Sequence, residues 1–125
     1  MIFPFGDHFR EYLQDEVAPL LDPDEDIEAV AFARSGPNPL WDLVTFGKPL
    51  LATRWAIAVT TRRVVLFRVV APATVRGVAG EFPRSIPLVP GEGREWHMLR
   101  LGERRYWVKS TFVRELRGAN QAFLG

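Results

Sequence analysis

A chain of 125 residues with 47% hydrophobic content is long enough for one domain around one buried core. The absence of cysteine excludes disulfides, thiolate zinc sites, iron–sulfur clusters and thiol nucleophiles. The formal charge is only +1, but it is unevenly distributed: up to Leu50 there is an excess of seven acids, and beyond it an excess of eight bases. The two segments should attract one another, either inside one domain or between subunits. The alternative use of the basic segment is a surface for phosphates or acidic partners.

The N-terminus, Met-Ile-Phe-Pro-Phe-Gly-Asp, has neither the basic nor the apolar region of an export signal. No apolar run approaches the roughly 20 residues needed to cross a bilayer. A cytoplasmic chain is the expectation. Asp7 can cap a first helix in which Phe9, Tyr12, Leu13, Val17 and Leu20 recur at helical spacing, and Pro19 and Pro23 end it. Phe3, Phe5, Phe9, Leu13 and Val17 give this helix a sticky side for the sheet, a neighbouring subunit or lipid. Its mainly acidic outer charges oppose an anionic membrane.

Ile27 to Arg34 alternates as a first strand, and Gly36-Pro37-Asn38-Pro39 stops it. Leu40 to Pro49 reads as a long loop with a short strand-like piece, in which Trp41, Leu43 and Phe46 can complete a core or wedge into a partner or lipid. Arg54 to Val70 is the clearest element, two β-branched and aromatic runs around a polar break. It predicts an antiparallel hairpin in a sheet with one deeply buried face. Ala71 to Thr74 and Gly77 to Gly80 look loop-like, and Glu81 to Leu88 predicts an edge strand because Pro83 and Pro87 cannot donate to a ladder. Glu95 to Leu101 and Arg104 to Lys109 form a second hairpin about Gly102-Glu103. Ser110 or Thr111 then caps a closing helix with an apolar stripe of Phe112, Leu116, Ala119 and Phe123.

No repeat or linker marks a domain boundary, so residues 1–125 read as one domain: a helical extension over 1–21 and a core over 22–125. The fold class expected is α+β, mainly β, with six or seven antiparallel strands between two helices. The acidic turn Leu21-Asp22-Pro23-Asp24-Glu25, the hairpin Ala58 to Phe67, the extended Phe82-Pro83-Arg84, and Trp107-Val108 before an amphipathic helix together resemble a bacterial pleckstrin-homology-like (PH-like) domain. The resemblance covers most of the chain after Leu20. It implies a strongly bent antiparallel barrel or sandwich closed by a C-terminal helix, a binding platform without catalytic residues. The N-terminal helix is an addition to that core.

Phosphoinositide-binding members of the wider family place cations at the end of the first strand and the start of the second. The resemblance therefore points to Arg34, Lys48 and Arg54 as an anion-binding set. The loop between the strands departs from a phosphate pocket in carrying one lysine, Asp42 and two Gly/Pro clusters.

Other chemistry finds little support. Asp22, Asp24 and Asp26 begin with the rhythm of a calcium loop, but Ile27 stands where glycine is needed and Ala33 where the bidentate glutamate belongs. His8 and His97 fall on different elements and make no metal or acid–base pair by spacing. No nucleophile elbow, phosphate loop, dinucleotide fingerprint or zinc-protease motif occurs. Neither an enzyme, a cofactor nor a metal is expected. Arg94, Arg100, Arg104, Arg105, Arg114 and Arg117 crowd beside Trp96, Tyr106 and Trp107, a composition suited to nucleic acid. Against it, strand aromatics must also fill a core and the total charge is near zero, so nucleic acid is not the expected partner. The expectation is a non-catalytic interaction module that binds a protein partner or its own copies, with Phe5, Phe9, Leu13 and Trp41 as the interaction surface. An anionic membrane bound through Arg34, Lys48 and Arg54 is the alternative.

Overall fold

The computed structural model describes residues 7–35, 53–70 and 74–124, with side chains from residue 10 onward. Helix α1 (Asp7–Val17) runs into a 3-10 turn (Ala18–Leu20) that contains Pro19, whose missing N–H is tolerated at such a start. Leu13 and Val17 of α1 are fully buried, whereas Glu11 and Asp15 stay in solvent, so the helix spends its apolar stripe on the core.

Six strands follow among the described residues: β1 (Ile27–Ser35), β2 (Thr53–Thr60), β3 (Arg63–Val70), β4 (Thr74–Pro83), β5 (Trp96–Leu101) and β6 (Arg104–Lys109). They form a single antiparallel sheet in the order β4-β3-β2-β1-β6-β5. Among the described residues the sheet is open, with β4 and β5 at its edges. Helix α2 (Ser110–Leu124) continues directly from β6 and buries Phe112, Val113, Leu116 and Ala119. Phe123, expected in the same stripe, is 48% exposed and lies under the Arg84 guanidinium.

The hairpin expected over 54–70 is β2–β3, with Ile57 opposite Leu66 and Val59 opposite Val64. Its burial differs from the single buried face expected. From Trp55 to Thr60 every residue is buried, as is every residue of β1 from Ala29 to Arg34. Since successive strand residues point to opposite faces, these unbroken runs mean that both faces are covered in the middle of the sheet, and both helices contact β1. Alternation in the sequence still marks the faces here, but it no longer separates inside from outside.

Another difference concerns β4. The Gly77–Gly80 stretch expected as loop is strand, and the segment after Pro83, expected as an edge strand, is an irregular crossover from one sheet edge to the other. Two register shifts along β3–β4 mark bulges, which explain how Gly77 and Gly80 are accommodated in an edge strand. Pairing with β3 outweighs the low strand propensity of glycine, while Pro83 ends the ladder.

The crossover is pinned in several places. The Arg84 side chain, 9% exposed, donates from Nη2 to the Ala119 carbonyl at 2.7 Å and from Nε to Glu28 at 2.9 Å. The Leu88 N–H donates to Asn120 Oδ1 at 3.1 Å. Gly91 donates to the Met98 carbonyl at 2.8 Å, and His97 returns a bond from Nδ1–H to the Gly91 carbonyl at 2.6 Å. A carbonyl only accepts, so Nδ1 carries the proton.

Candidate functional site

Two polar constellations stand out. The first lies where the acidic turn before β1 meets the β2–β3 corner. Glu25 has a fully buried side chain, and its carboxylate accepts from Arg63 Nη2 at 2.6 Å, from the Thr60 hydroxyl at 2.7 Å and from the Asp22 N–H at 2.9 Å. Thr60 Oγ1 in turn accepts from the N–H groups of Arg62 and Arg63 at 3.2 and 3.1 Å. Arg63 reaches Glu81 of β4 at 3.2 Å, and Arg62 pairs with Asp24. The Arg63 hydrogen bonds, helped by Asp22 and Thr60, outweigh burial and hold the Glu25 carboxyl at about 2, while Glu25 raises the Arg63 guanidinium further above its ordinary range.

The buried Glu25 carboxylate is satisfied within its own chain, so the cluster ties the turn before β1 to the β2–β3 corner. It also answers the charge question. The acidic and basic segments meet inside one chain, through Asp24–Arg62, Glu25–Arg63 and Glu28–Arg84.

The second constellation is at the opposite end of β1. Arg34 and Arg54 are directly opposite one another in the β1–β2 ladder, and Arg34 is opposite Trp107 in β6. Residues opposite in an antiparallel pair share a face, so two of the three cations expected to bind an anion are brought together. Arg34 is 8% exposed, and its guanidinium lies 4.7 Å from the centre of the Trp96 ring. Lys109 Nζ lies 5.0 Å from the same ring and 3.9 Å from Glu95. A cation over tryptophan contributes about 1 kcal/mol, more when desolvated.

Of the remaining expected residues, Lys48, Phe5 and Trp41 lie outside the described residues, as does the Phe9 side chain. Leu13 is 0% exposed, in the core of its own chain, so it offers no free surface to a partner. Trp96 and Lys109 were not singled out for the anion site. Folding the second hairpin about Gly102-Glu103 would have paired them, since Trp96 is opposite Lys109. What the sequence did not carry is that β6 returns to pair with β1, which brings this rung to Arg34.

Among the described residues no group of three or more His, Asp or Glu side chains is arranged to hold a metal ion, and no helix is long and apolar enough to cross a membrane. None of the family models, curated proteins or solved structures compared with the chain matches it.

Proposed function

We propose that the chain is a non-catalytic, PH-like interaction module that works through protein contacts, its own copies included. The observation that carries this reading is the open edge β4. Ten residues long, it has only β3 as a strand neighbour among the described residues, and Val78 at its middle is 51% exposed. An unpaired edge offers main-chain donors and acceptors to an added strand. The bulges beside Val78 narrow the choice to a partner that follows the twist. A meander of four strands followed by a hairpin and a terminal helix also supports the PH-like resemblance.

The test is the mass of the particle by light scattering over a range of concentrations, for the natural chain and for Val78→Lys. A mass above that of one chain, falling in the lysine variant, is expected. A single-chain mass at every concentration, or assembly indifferent to Val78→Lys, removes self-association through this edge.

The cross-strand pair Arg34 and Arg54, with Lys109 nearby, favours anionic lipid or phosphate as a second reading. Its test is co-sedimentation with anionic vesicles, which should weaken with salt and with Arg54→Gln plus Lys109→Gln. Recovery unchanged in that variant places any lipid contact elsewhere.

A further inference from the structure

The strongest reason for not expecting nucleic acid was that the tryptophans of the second hairpin would be consumed by the core. The register of β5–β6 removes it. His97, Leu99, Leu101, Tyr106 and Val108 point to the core and are buried, and Tyr106 fills the aromatic place there, edge-on to Trp55 at 6.0 Å between ring centres. The alternate residues form three rungs on the other face: Trp96 opposite Lys109, Met98 opposite Trp107, and Arg100 opposite Arg105. The first two rungs are partly exposed, and Arg100 and Arg105 are exposed.

The near-zero total charge is equally misleading at this place. Three acids of the first segment, Asp24, Glu25 and Glu28, are paired with Arg62, Arg63 and Arg84, none of which belongs to this hairpin. The ion pairs among the described residues engage Arg10, Arg62, Arg63, Arg84 and Lys109, and do not include Arg100 or Arg105. Like charges directly opposite in an antiparallel pair are destabilising on their own and become favourable when an anion lies across them.

We propose that the outer face of β5–β6 binds single-stranded nucleic acid, with phosphates at Arg100 and Arg105 and a base stacked at the Trp107 and Met98 rung. A strand pair with partly exposed indoles beside exposed cations matches a chain that alternates π-faces and phosphates. Arg34 and Lys109 lie against Trp96 and hold that indole in place, which lowers the cost of ordering it on binding. A membrane surface fits less well, because the large apolar residues most exposed among those described, Val78, Val89 and Leu124, are on or beside other elements.

The experiment is fluorescence anisotropy of labelled oligouridine and oligothymidine with the full chain at several salt concentrations, with quenching of tryptophan emission followed on the same samples. Arg100→Glu plus Arg105→Glu should weaken binding at low salt by about tenfold or more, and should lower the log–log salt slope by about 1.4, the share of two phosphates on a single strand. Arg68→Glu plus Arg76→Glu changes the total charge equally at exposed positions on β3 and β4, and should leave affinity within about twofold. Trp107→Leu should weaken binding and reduce the quenching, whereas Trp107→Phe should keep much of the affinity. Circular dichroism and melting confirm that each variant is folded, and Arg100→Gln plus Arg105→Gln serves if charge reversal disturbs the hairpin. No binding at low salt, equal losses in the two charge-reversed pairs, or displacement of the oligonucleotide by anionic vesicles would overturn the proposal.

Discussion

Replacing Glu25 by glutamine removes one charge from a buried site and preserves its shape. The folded carboxyl titrates at about 2 instead of the ordinary 4.5, a difference worth about 3 kcal/mol by linkage. Loss of one partner from a buried ion pair leads to a similar figure, because Arg63 would keep only Glu81, with an exposed side chain, and the more distant Asp22. The depressed value fixes the sign. Glu25 is ionised in the folded chain, so its stabilisation is complete above the unfolded value near 4.5 and is lost as pH falls from there through about 2. Urea unfolding of the natural chain and Glu25→Gln should therefore differ by about 3 kcal/mol at neutral pH, and the difference should shrink towards zero in acid. Arg63→Met should be much less costly in the Glu25→Gln background than alone, since the two side chains act as one unit. A loss under about 1 kcal/mol at neutral pH, or one that does not vary with pH, would refute the reasoning.

Two further perturbations test how the sheet is closed off. Arg84→Met should cost about 2 kcal/mol, because the buried guanidinium bonds the Ala119 carbonyl and Glu28 together, and Asn120→Ala should cost about 1 kcal/mol. Both should speed hydrogen exchange at Leu88 and in the C-terminal turns of α2, and protection equal to the natural chain would show that the crossover is held by other contacts. Gly102 has φ of 64°, and a Cβ there would lie 3.3 Å from the Phe82 ring, so Gly102→Ala should lower stability by about 1 to 2 kcal/mol. Thermal unfolding reads this directly, and an unchanged midpoint would mean that the β5–β6 turn relaxes out of the left-handed region.

Local signals explain which elements were legible. The helix at Asp7–Val17, the β2–β3 hairpin, the β5–β6 hairpin and the closing helix are all set by short-range periodicity together with proline, glycine and serine at their ends. Gly77 to Gly80 misled because a bulged edge strand tolerates glycine, and its state depends on β3 lying beside it. The segment after Pro83 misled in the opposite sense. Alternating apolar residues there carry no strand because Arg84 and Leu88 are tied to α2.

The candidate site was legible in part for the same reason. Arg34 and Arg54 flank one connection in sequence, and strand pairing makes them neighbours. Trp96 and Lys109 are each other's partners within a hairpin, but their approach to Arg34 depends on β6 closing against β1, across more than seventy residues of chain.

By itself the sequence determined the class of the fold, the two helices, the hairpins and the opposition of an acidic first segment to a basic second one. Each follows from residue spacing or from charge count, which need no knowledge of distant neighbours. Only the tertiary structure decided that the middle of the sheet is covered on both sides, that the opposed charges meet within one chain, and that the tryptophans of the last hairpin face away from its core. Those outcomes depend on which distant strands and helices come together, and on the alternation of side chains across a pleat, where a shift of a single residue exchanges the inside for the outside.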